Sequence, residues 1–542
     1  MEFRRTFLYF ALAIIGVMLW HAWQLDYPPV HATTTETSAK ATSSNEFTPE
    51  AYDQRSEPYQ NTAKTPTSPQ GKMIAITTDV LKARINLEGG NLVDATLPQY
   101  SVSLDDRAPV QILNPNHDAL YITQSGITGN EGIVYHADQD NYSLKDNEKQ
   151  LIVTLVGETK DGIAIRKTFT FARGKYDITT AMQLTNYGNT VWRGNAYNQI
   201  TRRDVPVSGG YLAARFYNGG AVSTKDTPYK KLSFSDMAES DFSLDIKDGW
   251  IAMQQHYFIS AWVPEKNQTL HYYSRSFGKS KNGSDDIFVL GYLSESLSLA
   301  PKATTAFTST LYVGPEIPAN LAPLAKSLDL TIDYGWLWPI SKFLFWLMSK
   351  IYSYLGNWGW SIVAVTILIK IAFYGLSNKS YVSMARTRDL QPRIKALRER
   401  HGDDKQAMSK AMMELYRKEK INPLGGCLPM LIQIPVFFAL YYVLIESVEL
   451  RQAPFIFWIH DLSVKDPYFI LPVLMGLSMF LQQKLSPPPP DPTQAKMMMM
   501  LPLIMTVFFV AFPAGLVLYW LTNNCASILQ QWIVMKRHAR KA

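Results

Sequence analysis

The sequence predicts a polytopic α-helical membrane protein, with six transmembrane helices, that carries a large all-β sandwich domain outside the cytoplasm. Three observations predict it. Apolar runs of helix length occur near the N-terminus and again beyond residue 357, with Lys and Arg grouped beside them. Between them lies a stretch of roughly 250 residues in which apolar and polar residues alternate and helical periodicity is lacking. One apolar run also holds a lysine, Lys370, where a charge costs roughly 2.5 to 3.5 kcal/mol even on lenient scales.

Taken in order, residues 1–24 read as an N-terminal anchor, since Arg4 and Arg5 precede the apolar run Phe7 to Trp23. A cleaved signal peptide is the alternative, with Val30-His31-Ala32 as its small-residue site, but bulky Trp20, His21 and Trp23 fill the place where a cleavage region would begin. Residues 25–72 form a linker rich in Ser, Thr, Ala and Pro, with too little apolar content to pack. Residues 73–322 form the sandwich. Strands are expected at Met73 to Thr78, Arg84 to Leu87, Gln150 to Val156, Ile163 to Phe171 and Ser309 to Val313, with turns at Gly89-Gly90 and Asn282-Gly283. The only cysteines, Cys427 and Cys525, fall in predicted spans, so no disulfide staples this domain, and its size requires none.

Residues 329–357 read as an amphipathic helix lying in the outer interface. Lys342, Ser349, Lys350 and Ser353 share one face, Pro339 suits the first turn and Gly356 the end. The second span, 358–376, carries Thr366, Lys370 and Tyr374 four residues apart, continued by Ser377, which makes a polar stripe and implies a wet cavity. Lys370 lies roughly 9 Å along the helix from Leu376 and about 18 Å from Trp358. A lysine that snorkels to the nearer surface is the alternative reading.

Residues 377–420 hold twelve Lys or Arg against six acids and read as a cytoplasmic hairpin of two helices broken at His401-Gly402-Asp403-Asp404. Met384, Ile394 and Leu397 are expected to face Met408, Met412, Leu415 and Tyr416, with Pro392 bending the first helix. Residues 421–534 supply the remaining spans, Leu424 to Ile445, Tyr468 to Gln483, Met497 to Phe512 and Ala514 to Val534, and residues 535–542 a basic tail. The positive-inside rule puts both termini and the hairpin in the cytoplasm and most of residues 25–357 outside. The net charge of +7 therefore reflects topology rather than nucleic-acid binding.

No metal cluster, phosphate-binding loop, dinucleotide fingerprint or serine elbow occurs, so no cofactor, metal or small-molecule substrate is expected and the sequence points away from an enzyme. Two alternatives stay open. A glycan-binding enzyme would use Trp192, Tyr197, Tyr211, Phe216 and Tyr217, with His256 and Asp245 or Asp248 as acid and base. A secondary transporter would also have a charge near the midplane, but its repeated halves are not found.

The run from Asn422 to Tyr442 (NPLGGCLPMLIQIPVFFALYY), Val448 to Phe455, Trp458 to Leu462, Asp466 to Tyr468, Ile470 to Pro472 and Phe512 to Tyr519 (FPAGLVLY) resemble the bacterial membrane protein insertases of the YidC family. The resemblance is strongest from Asp329 to Trp532, and the domain order is similar to that of the Gram-negative form with its periplasmic domain. What the resemblance implies is five core spans around a hydrophilic groove open to cytoplasm and lipid, in the inner membrane. Nascent membrane proteins, the ribosome, the Sec translocon and membrane lipids are the implied partners. Family members usually carry arginine where this chain has Lys370, a departure that exchanges a rigid five-donor fork for a compact point charge. The candidate groove residues are Lys370, Thr366, Tyr519, Gln433 and Asn523. Tyr519, Asn523 and Ser527 recur every four residues on the last span, and Gln433 sits between Pro429 and Pro435 on the third.

Overall fold

The computed structural model describes residues 68–69, 71–129, 132–205, 216–278, 286–401, 404–419, 428–486 and 492–539. The expected anchor Phe7 to Trp23, most of the linker, Tyr211, the Asn282-Gly283 turn, Cys427 and the end of the tail lie outside them. The described residues divide into two compact units, Leu347–Phe438 with those from Lys465 onward, and those up to Trp346 with Ala439–Val464.

The β unit is built as alternation dictates. Ile163, Ile165, Phe169 and Phe171 face inward from strand Ile163–Ala172 while Arg166 is exposed. That strand belongs to a nine-stranded antiparallel sheet in the order Lys230–Ser233, Gly219–Val222, Ile251–Gln255, Phe258–Pro264, Thr304–Pro315, Asp177–Asn186, Ile163–Ala172, Gln150–Glu158, Tyr135–Ala137. A five-stranded antiparallel sheet runs Ser243–Lys247, Thr269–Phe277, Ile287–Leu293, Ala196–Arg203, Tyr121–Ile127. The N-terminal strands, from Met73–Thr77 to Pro109–Leu113, form a third sheet with Asn141–Ser143.

Large side chains tie the two main sheets together. Trp262 is 1% exposed and its indole N–H donates to Gln199 O at 3.2 Å, and Tyr121 donates to Met253 O at 2.9 Å. Loss of a buried Trp of this kind costs about 3 to 5 kcal/mol. The one inward cation of strand Ile163–Ala172, Lys167, is satisfied by the carbonyls of Gly89, Gly90 and Ser125. Four expected strands occur with small shifts of boundary, and Ser309 to Val313 lies within the longer Thr304–Pro315. Strands Phe258–Pro264 and Ile287–Leu293 were not expected, because they are buried on both faces and so do not alternate.

The segment Ala439–Val464 packs within this same unit. Arg451 donates to the carbonyls of Ser101 at 2.6 Å and Val102 at 2.7 Å. Gln452 Nε2 donates to Ser101 O at 3.0 Å while its Oε1 accepts from Ser101 Oγ at 2.7 Å. Gln452 takes a φ of +56°, a left-handed strain that this reciprocal pair offsets.

Beyond the short helices Phe234–Glu239 and Pro318–Leu321, the longer helices are α1 Trp338–Leu355, α2 Trp358–Ala372, α3 Tyr374–Asp389, α4 Gln391–His401, α5 Lys405–Lys418, α6 Leu428–Glu446, α7 Ile470–Leu485, α8 Pro492–Phe509 and α9 Ala514–Ala539. Helix α1 is shorter than the expected 329–357, because the short 3-10 turns Leu328–Thr331 and Gly335–Leu337 precede it, but Pro339 stands in its first turn and Gly356 at φ +63° beyond its end. It buries Ser341, Leu344 and Met348 and exposes Trp338, Phe343 and Trp346, the apolar exterior that an interfacial helix requires. Asn357 caps α2 by accepting from Trp360 N–H at 3.1 Å.

Two expectations are corrected. The second span does not continue to Leu376, because α2 ends at Ala372 and α3 departs at 69°. The hairpin segment is not two helices, for α3, α4 and α5 occupy it, and Pro392 sits in the first turn of α4 rather than inside a bent helix. The seam itself is as expected in part, since Ile394 packs with Met412, Leu415 and Tyr416, joined by Leu390. Asp404 caps α5 by accepting from Gln406 N–H and Ala407 N–H.

Among the described residues no single helix is both long and apolar enough to cross a membrane, and α2 with α3 meets that test only as a bent pair. Helix α6 carries Pro435 and α8 Pro502, each of which removes a backbone donor from the helix. Helices α7 and α8 approach so closely at Gly476 that a Cβ there would lie 1.9 Å from Thr506 Oγ1.

Candidate functional site

The i, i+4 stripe of α9 and the last turn of α2 meet at one point. Lys370 Nζ donates to Ser527 Oγ at 2.7 Å, and Ser527 Oγ donates in turn to Asn523 O at 2.8 Å. Lys370 lies in the last turn of α2, where the negative end of the helix dipole favours a cation. No carboxylate pairs with it among the described residues. On α6, Gln433 donates through Nε2 to the hydroxyl of Tyr519, which is fully buried on α9. Lys370, Ser377 and Gln433 line one pocket with Ile369, Phe373, Leu376 and Val436.

Four of the five expected residues therefore cluster: Lys370, Gln433 and Tyr519 through the pocket and its hydrogen bonds, and Asn523 through Ser527. Asn523 is 7% exposed and its Oδ1 has no hydrogen-bond partner among the described residues, an acceptor left over inside a polar cluster. Thr366 differs. It is 1% exposed and its hydroxyl donates to Ile362 O of its own helix at 2.7 Å, the local bond that helical threonines make when no external partner competes. Ser527 emerges as a direct partner of the lysine, and its place in the α9 stripe was the signal for it. The apolar wall of Phe373, Leu376 and Val436 had no signal, because apolar residues in an apolar span look alike.

Other polar residues tie helices together instead. Asn524 Nδ2 donates to Ser478 Oγ at 3.0 Å, joining α9 to α7, and Gln530 Nε2 donates to Tyr374 O at 3.3 Å, joining α9 to α3.

The acid and base pairing imagined for the β unit does not form. His256 is stacked against Phe216 and Tyr257 and donates through Nε2 to Ile445 O at 2.8 Å. Burial lowers its pKa to about 4, so it stays neutral. Asp248 accepts from the Asn267 amide and Asp245 from His271. Trp192 and Tyr197 are core residues, 8% and 6% exposed. Tyr217 donates to Gly220 O. Among the described residues no group of three metal-ligating side chains converges.

Two family descriptions match the chain: "YidC periplasmic domain" over residues 73–347 and "60Kd inner membrane protein" over residues 350–541. A membrane protein insertase YidC of Coxiella burnetii (strain RSA 493 / Nine Mile phase I) is 50% identical over 551 residues, covering 99% of this chain and 97% of that protein. The counterpart in Legionella pneumophila (strain Paris) is 45% identical over 555 residues, covering 99% and 98%. A crystal structure of an active YidC insertase with its first transmembrane domain resolved aligns at a TM-score of 0.38 and 18% identity, covering 85% of this chain and 92% of that one.

Proposed function

The chain belongs to the YidC family of inner-membrane protein insertases, whose work is non-enzymatic, and on that premise we propose that the polar cluster around Lys370 is the groove that receives the client. An arriving apolar segment with a short acidic or polar tail meets the basic helices α3 to α5 on the cytoplasmic side. Its tail enters the pocket that Lys370, Gln433 and Ser377 share. There the lysine charge attracts a carboxylate and lowers the cost of carrying polar residues partway across the bilayer. The apolar segment then leaves sideways, driven by burial of its side chains in lipid. Helices α7 and α8 are short for a hydrocarbon core of about 30 Å, so a thinned bilayer beside them lowers the barrier further.

The observation that carries this reading is the lysine's environment, an ammonium held at 2.7 Å by a hydroxyl without an acidic partner among the described residues. A structural ion pair would consume the charge, whereas a hydroxyl orients it and leaves it available to an incoming carboxylate. The topology that goes with it has six spans, five of them around the groove, both termini in the cytoplasm and the β unit in the periplasm. Contact with ribosomes through the basic helices, and with the Sec translocon, belongs to the same proposal.

The test is a charge series at matched membrane abundance. Lys370→Arg retains insertion, Lys370→Ala loses it for clients with acidic tails, and Lys370→Glu is worse than alanine because like charges repel. Clients with neutral tails are spared. If the alanine and glutamate variants insert acidic-tailed clients as well as the parent, Lys370 merely snorkels and the groove mechanism is wrong.

A further inference from the structure

Among the described residues, strand Ser243–Lys247 is an edge strand, paired only with Thr269–Phe277 in its sheet. Ser243 and Asp245 are two apart and so share a face, and the register sets Asp245 opposite His271. His271 is 5% exposed. Its Nδ1 lies 2.7 Å from Asp245 Oδ1 and its Nε2 lies 3.2 Å from Ser243 Oγ. An ionised carboxylate only accepts, so Nδ1 carries the proton and Nε2 presents a lone pair to the Ser243 hydroxyl. Serine, histidine and aspartate thus stand in the order and at the spacing that activate a hydroxyl for acyl transfer.

Two further features suit that chemistry. The strand is held at its start in both directions, as Phe242 N–H donates to Ser274 Oγ at 2.9 Å and Ser274 N–H donates to Phe242 O at 2.9 Å. With Asp248 N–H also donating inward, to Gln268 O at 3.2 Å, the even-numbered residues bond across the ladder. The N–H groups of Ser243 and Asp245 therefore face the open edge, beside an exposed Ser243 side chain, where a developing oxyanion could be received.

We propose that Ser243 is an activated nucleophile and an acyl-acceptor site, separate from the insertion groove, whose donors are carboxylic esters with a good leaving group. Ser243 Oγ forms a bond to the acyl carbon as its proton passes to His271 Nε2. The tetrahedral adduct then expels the alkoxide, which takes that proton from the imidazolium, leaving an acylated serine and an alcohol. Asp245 is a positioning residue that fixes the imidazole tautomer. An exposed edge suits a small acyl group borne on a larger molecule more than an engulfed substrate.

The test uses the full chain in detergent with a fluorophosphonate probe, whose phosphorus stands in for the acyl carbon and whose fluoride leaves. Peptide mass mapping should find the adduct on Ser243, formed faster than on other exposed serines. Ser243→Ala should abolish that adduct while insertion continues. His271→Gln and Asp245→Asn should slow it about 100-fold or more, and Asp245→Glu should restore the rate. Labelling of Ser243 no faster than other exposed serines overturns the proposal, as does equal labelling of the His271→Gln variant with insertion intact.

Discussion

His256 and Glu449 lie outside the predicted spans, and burial pushes their pKa values in opposite directions, to about 4 and about 7 from ordinary values of 6.5 and 4.5. The signs of their contributions differ accordingly. For His256 the unfolded chain binds more protons between pH 4 and 6.5, so stability rises with pH through that window. For Glu449 the folded chain binds more protons between pH 4.5 and 7, so stability falls as pH rises there. Each effect amounts to at most about 3 kcal/mol, and in wild type the two partly cancel. Unfolding of the full chain followed by Trp fluorescence should therefore show His256→Gln removing the gain and Glu449→Gln removing the loss. A pH profile unmoved by either variant would show that neither group titrates across the transition. At this scale the sequence was readable where a side chain violated its surroundings. Lys370 in an apolar run and the four-residue stripe of α9 led to real partners, Ser527 and, through Gln433, Tyr519. Thr366 shared the α2 stripe of Lys370 but not its role, because its hydroxyl bonds its own helix, a choice that spacing alone does not reveal.

Elements were legible to the extent that their period and punctuation were written in the chain. Alternation located strand Ile163–Ala172 within a residue of each observed end, and Pro339 with Gly356 framed α1. The 69° bend between α2 and α3 had no such mark, since it falls at Phe373, which is neither glycine nor proline. Glycine spacing likewise does not disclose that α7 and α8 touch at Gly476, where the first atom of any larger side chain meets Thr506 Oγ1 at 1.9 Å. Relieving such an overlap requires the Thr506 side chain to turn away from its present position or the two helices to move apart. Gly476→Leu should lower the amount of folded protein, by about 1 to 3 kcal/mol in stability, read as protease resistance in membranes. Thr506→Gly should rescue a milder Gly476→Ala by clearing the obstruction, even though glycine itself weakens a helix by about 1 kcal/mol. Additive loss in the double variant would mean that the two positions do not meet.

For the whole molecule, sequence order and spatial grouping part company at Ala439–Val464, which begins inside the predicted span Leu424 to Ile445 yet is held by Ser101, Val102 and His256 of the β unit. No local pattern announces such a contact, because the bonds run from Arg451 and Gln452 to backbone some 350 positions away. It bears on topology all the same. On the proposed topology this segment is periplasmic together with the β unit, and α6 and α7 leave from the same face of the membrane. Cysteine labelling checks it in a background in which Cys427 and Cys525 are replaced by serine. A cysteine at Val464, which is 49% exposed, should react with a membrane-impermeant maleimide once the outer membrane is opened. One at Lys496, an exposed residue near the start of α8, should react only after the inner membrane is breached. The opposite pattern, or labelling of both from one side, would overturn the six-span arrangement and with it a groove that opens toward the cytoplasm.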